Sequence, residues 1–202
     1  RQQPVAGFPR RSNAVIRVIL KPKLIVGAGT AFLITLAGVA WWLDRPVANG
    51  RNVVTPERVE ASSAVIYATS FPDLVGNPQS LGQWQNKLLV LNFWATWCAP
   101  CKEEMPLLAK LQSEYGPKGL QIVGIAIDSR VNVANFSVAL PVGYPLLPDE
   151  ARAIDFSRRL GNRLGLLPYT VVMRAGGEVI FTRMGVVREA EMHQLIRENL
   201  PK

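Results

Sequence analysis

The chain carries two cysteines, Cys98 and Cys101, three positions apart. A disulfide across so short a loop restrains little of the unfolded chain, so the pair makes a poor structural clamp. A small scaffold stapled by disulfides would need more cysteines at wider spacing. The spacing suits thiol–disulfide exchange instead. One thiolate attacks a partner's disulfide, and the second thiol, one helical turn on, attacks the resulting mixed disulfide and releases the partner. The pair sits in LNFWATWCAPCKEEMP (91–106), where an apolar run ends near Phe93 and a helical pattern begins around the cysteines. Pro100 fits a first helical turn, because its missing N–H would have no intrahelical partner there. Cys98 then lies at the helix N-terminus, where unpaired amides and the macrodipole favour thiolate over thiol. Cys98 is therefore expected to attack and Cys101 to resolve, with no cofactor beyond this redox-active pair. A zinc site would need two further ligands, and His193 is the single histidine. The residues leave open two inert buried cysteines or a peroxidatic cysteine. For the latter, a Pro-x-x-x-Thr-x-x-Cys pattern would need Pro and Thr where Leu91 and Ala95 stand.

Positioning such a pair takes a strand before it and a sheet around it. KLLVLNF, with Leu88–Phe93 as its apolar run, reads as a strand buried on both faces, and LQIVGIAI (120–127) as a second one. Between them Pro100 to about Glu114 is helical in pattern, with Met105, Leu107, Leu108 and Leu111 apolar, and Gly116–Pro117 ends it. Asp128–Ser129 reads as a helix N-cap region for a short helix over 131–140. PVGYPLLPD (141–149) is loop or edge strand, and a helix follows over 151–160. Thr170–Arg174 and Val179–Met184 are strands joined by Ala175-Gly176-Gly177-Glu178, a hairpin signal, and a last helix spans about 188–199. SAVIYA (63–68) reads as an edge strand before the turn-rich FPDLVGNPQS (71–80). The order predicts an α/β fold: a mixed sheet flanked by helices, its first crossover parallel.

The formal net charge is +8, yet residues 1–23 hold six of the 23 basic residues and no acid. The remainder is near balance, so the folded part lacks the basic stripe that nucleic acid would require. Leu24 to Leu43 run twenty residues without a charge, about 30 Å as a helix, which matches a bilayer's hydrocarbon core. Trp41 and Trp42 close it, where indoles favour the interface. A cleaved signal peptide would want a shorter apolar stretch and small residues where the tryptophans stand. Five Lys/Arg flank the segment before and three after, which places the tail in the cytoplasm and the rest across the membrane. The expected organisation is a basic cytoplasmic tail (1–23), a transmembrane anchor (24–43), a linker (44–60) and a catalytic domain (61–202).

NFWATWCAPCKEEMP resembles the active-site segment of the thioredoxin superfamily, and more narrowly the membrane-anchored TlpA/ResA/DsbE (CcmG) group of thiol–disulfide oxidoreductases. FPDLVGNPQSLGQW looks like that group's entry segment, IVGIAID like its second core strand and NVANFSVALPVGYPLLPD like its central insertion. LGNRLGLLPYTVVMRAGGEVIFTRMG is similar to the segment carrying its cis-proline. The resemblance implies a thioredoxin-like domain in which Pro168 is cis beside the redox pair and Glu104 is an acidic neighbour that exchanges a proton with Cys101. Asn92 holds the place of a buried Asp common in thioredoxins, and an amide cannot titrate. Leu167 precedes the proline and Tyr169–Thr170 follow it, where the group commonly has Thr-Thr. Trp97, Pro100 and Leu167 are expected to line the substrate groove, with Trp94 in the core.

The same resemblance implies a reductase of protein disulfides on the periplasmic side of a bacterial inner membrane, with apocytochrome c among its substrates. It implies a membrane thiol carrier of the CcdA/DsbD type as electron donor. A redox fold serving as a binding or chaperone subunit of a membrane assembly is the alternative from another class, and a thiol peroxidase the third.

Overall fold

The computed structural model describes residues 61–201. The tail, the anchor segment 24–43 and the linker lie outside the described residues. Among those described, no helix is long and apolar enough to cross a membrane.

The chain enters through α1 (Ser63–Ala68), whose first turn is capped by Ser62 Oγ accepting from the Val65 N–H. SAVIYA is therefore a helix and not the expected edge strand. Six residues are too few to separate the two periods, and burial decides: Ile66 is the one side chain of the helix that is fully covered. A short antiparallel pair follows, β1 (Ser70–Pro72) and β2 (Pro78–Ser80). Its turn is held by Asp73, whose carboxylate accepts from the N–H groups of Val75 and Asn77 and from the Gln79 amide.

The central sheet has the order β5–β4–β3–β6–β7. β3 (Leu88–Trp94) and β4 (Leu120–Ala126) are parallel and joined through α2 (Ala99–Tyr115). After α3 (Arg130–Ala139), the edge strand β5 (Leu146–Pro148) runs parallel to β4. α4 (Glu150–Arg159) leads to β6 (Tyr169–Met173), which pairs antiparallel with β3, and β7 (Val179–Met184) closes the sheet before α5 (Glu189–Asn199).

β3 is buried along its whole length, and its pleat sorts the side chains. Leu88, Val90 and Trp94 join a cluster with Met105, Leu108 and Leu111 of α2 and Met192 and Ile196 of α5. Leu89, Leu91 and Phe93 join the opposite cluster with Ile66 of α1 and Phe156 of α4. Helices therefore cover both faces. Parity places Asn92 on the α2 face, level with Gly124 of β4 and Thr170 of β6. The buried stripe of α2 runs through Cys101, Glu104, Met105, Leu108 and Leu111, so a carboxylate occupies an apolar position.

Candidate active site

Cys98 is the N-cap of α2, and its Sγ accepts the Cys101 N–H at 3.3 Å. Pro100 lies in the first turn and is exposed. The two cysteines form a disulfide with Cα atoms 5.3 Å apart. Cys98 keeps 6% of its surface and Cys101 none, so an incoming sulfur can reach Cys98 alone. Once reduced, a Cys98 thiolate would face the free amides of the helix start, with no carboxylate in that first turn to oppose it.

The loop before the pair is anchored by a residue that sequence reading took only as part of a cap region. Ser129 caps α3, while the buried Asp128 reaches back to accept the Thr96 N–H at 3.0 Å and the Thr96 hydroxyl at 2.5 Å. Its other oxygen accepts from the Ser129 N–H and the Asn132 amide. Four donors outweigh the cost of burial and hold its carboxyl below the ordinary value. The anchored loop leaves Trp97 68% exposed beside Cys98 and sends Trp94 into the core.

The Leu167–Pro168 peptide bond is cis. Tyr169 pairs with Phe93, which sets the buried Pro168 beside the C-terminal end of β3, where the redox helix begins. Gly185 donates to the Pro168 carbonyl at 2.8 Å, and Leu167 packs against the cluster that contains both cysteines. Among the described residues no main-chain group pairs with the Leu167 N–H or C=O. The segment is fixed from behind by Asn162, which sequence reading missed because an Asn in a Gly-flanked stretch signals only a turn. Its Oδ1 accepts the Leu166 N–H at 3.0 Å and its Nδ2 donates to the Leu166 carbonyl at 2.9 Å.

Glu104 is buried one turn beyond Cys101 on the same face of α2. Its Oε1 accepts from Asn92 Nδ2 at 2.7 Å and its Oε2 from the Val187 N–H at 3.0 Å. Burial pushes its carboxyl above the ordinary range, and these two bonds offset part of that rise. Asn92 also donates to Thr170 Oγ1 at 3.1 Å. The Tyr144 phenol is pushed up by burial and by the nearby Glu104 carboxylate. His193 is engaged elsewhere, its Nδ1 2.8 Å from the Tyr115 hydroxyl.

The Redoxin family profile matches residues 60–198. The chain belongs to the Redoxin family. Among curated relatives, thiol-disulfide oxidoreductase ResA of Bacillus subtilis is 26% identical over 174 residues, covering 86% of this chain and 91% of ResA. The thioredoxin-like protein YneN of the same organism is 30% identical over 166 residues, covering 80% and 91%. The thioredoxin-related protein of Neisseria meningitidis serogroup B superposes with a TM-score of 0.57 at 33% identity, covering 64% of this chain and 97% of that one. This Redoxin protein is accordingly a thioredoxin-like thiol–disulfide oxidoreductase, and its disulfide stands where the strand-to-helix junction of that fold presents it.

Proposed function

We propose that this protein reduces disulfides of other proteins outside the cytoplasm. The carrying observation is the asymmetry of the pair: a reachable Cys98 at the start of α2 and a fully covered Cys101 one turn on. The Cys98 thiolate attacks one sulfur of the substrate disulfide, and the other sulfur leaves as a thiolate and takes a proton. Cys101 then loses its proton to Glu104 and attacks Cys98 Sγ, which expels the second substrate thiolate. Two electrons pass to the substrate, and the Cys98–Cys101 disulfide remains. Pro168 and the Leu167 main chain, which no other main-chain group takes up among the described residues, form the edge against which an extended substrate lies. Trp97 and Pro100 border it, and Met184 and Val186, both exposed, flank the Gly185 that holds Pro168. This concentration of uncovered apolar surface suits a polypeptide rather than a small hydrophilic disulfide.

The anchor segment and its flanking charges support a tethered protein whose catalytic domain lies on the far side of the bacterial inner membrane. Tethering raises the local concentration near a membrane-embedded donor, the thiol carrier of the CcdA/DsbD type. The likeness to the TlpA/ResA/DsbE group supports apocytochrome c, before haem attachment, as one candidate substrate. The chemistry requires no bound group beyond the cysteine pair.

The test is the reduction potential of the full chain, equilibrated against glutathione or dithiothreitol and read by tryptophan fluorescence. A value at or below about −250 mV supports the reductase; one near about −120 mV makes the protein an oxidase and overturns the direction.

A further inference from the structure

Between α4 and the cis-proline the chain makes a small closed loop. Gly161 leaves the helix with φ +104°, and the Asn162 N–H donates to the Ser157 carbonyl at 3.0 Å, ending the helix. The Gly165 N–H returns to the Asn162 carbonyl at 3.0 Å, and Gly165 adopts φ +64°. The Tyr169 hydroxyl ties the Leu160 carbonyl from the other side at 2.7 Å. At the centre stands the fully buried Asn162 amide, bonded to both main-chain groups of Leu166 and, at 3.4 Å, to Ser157 Oγ. This two-bond pattern is the one a neighbouring strand would supply. Nothing in the fold of the sheet requires it, because β6 begins only at Tyr169.

The loop holds two leucines out in solvent: Leu164 is 74% exposed and Leu166 49% exposed. Exposed leucines four and two residues before Pro168 add nothing to the core, and their place suits recognition. With Trp97, Met184 and Val186 they make five of the nine strongly exposed large hydrophobics among the described residues, all next to the segments that carry Cys98 and Pro168.

We propose that Asn162 is the positioning residue of the substrate edge, and that the loop it holds selects polypeptide disulfides whose cysteine is flanked by apolar residues. This rests on the reading that substrate lies along Leu167 beside Cys98. By pairing with Leu166 from behind, Asn162 keeps Leu167 in place for the substrate backbone. The side chains of Leu164 and Leu166 then meet the residues beside the substrate cysteine. Asn162 touches no reacting atom, and its influence shows in selectivity.

The reduced full chain would be mixed with two short peptides, Leu-Cys-Leu and Ser-Cys-Ser, each as its mixed disulfide with glutathione. The ratio of the two exchange rates is the readout. The wild-type ratio is expected at roughly ten in favour of the apolar peptide, as a buried leucine or two would give. Leu164→Glu with Leu166→Glu brings the ratio to about one, and so does Asn162→Asp, which keeps the size but sets a carboxylate against the Leu166 carbonyl. A purely structural role for Asn162 would lower both rates together and leave the ratio standing, which overturns the assignment. A ratio that survives the double leucine variant does the same, and those exposed positions keep the test decisive should Asn162→Asp fail to fold. Exchange rates are read whichever direction the potential favours, so a failed reductase reading is told apart. A wild-type ratio near one removes the selectivity itself.

Discussion

Asn92 and Glu104 meet 2.7 Å apart, amide nitrogen to carboxylate oxygen, with both side chains buried between the central sheet and the redox helix. The amide cannot titrate, so it solvates the carboxylate without competing for its proton. That leaves Glu104 as the group on this face whose carboxyl is held above its ordinary value while it lies one turn from Cys101. The arrangement suits a carboxyl that takes and returns a proton during exchange.

Folding therefore binds a proton more tightly at Glu104 than the unfolded chain does. Its contribution to stability is complete below the ordinary value of 4.5 and is lost as pH rises through the raised folded pKa. Thermal melts of Glu104→Gln across pH 4 to 9 should lack that decline. The same variant should slow the resolution of a mixed disulfide by at least about tenfold. An unchanged resolution rate would remove Glu104 from the chemistry.

Asn92→Asp would put a second carboxyl against the first at a distance where both cannot ionise. At neutral pH the variant should lose about 3 kcal/mol of stability or more, measured by denaturant unfolding, and recover much of it in acid as one carboxyl keeps its proton. A loss that does not depend on pH would mean that the damage comes from packing.

Cys98→Ser should abolish exchange with disulfides, whereas Cys101→Ser should accumulate a covalent adduct with its substrate. Mass spectrometry under non-reducing conditions distinguishes them. An adduct on Cys101 in the Cys98→Ser protein would reverse the assigned order of attack.

Asp128→Ala removes the acceptor of four hydrogen bonds that tie the Thr96 loop to the start of α3. The expected cost is about 2–4 kcal/mol, read from chemical denaturation. Because its carboxyl is held below the ordinary 3.8, its contribution persists above that value and is lost as pH falls through the lower folded pKa. The acid limb of the wild-type stability profile should therefore flatten in the variant.

Gly124 lies in the middle of β4, and a Cβ there would stand 2.8 Å from Leu146 Cδ2, 3.0 Å from Trp94 Nε1 and 3.3 Å from Tyr144 Cε2. Gly124→Ala should cost about 1–3 kcal/mol through overpacking. An unaltered denaturation midpoint would show that the edge strand gives way.

The sequence by itself determined the chemistry and the frame that carries it. A Cys-x-x-Cys pair after an apolar run, with Pro100 between, places a thiol at a helix start through local spacing alone. The two core strands, the hairpin around Gly176–Gly177 and the helix order were legible for the same reason, since burial on both faces and turn chemistry leave a local pattern. The six-residue α1 was not, because its period is too short to read. Only the tertiary structure decided what surrounds the sulfur atoms. Asn92, Glu104 and Val187 come from three distant stretches of chain, and Thr96 finds Asp128 across 32 positions. Asn162 spends its amide on a residue four places away, in a bond pattern no composition announces. Such partnerships depend on sheet register and helix packing, which bring sequence-distant polar groups together where water is excluded and each must find a partner.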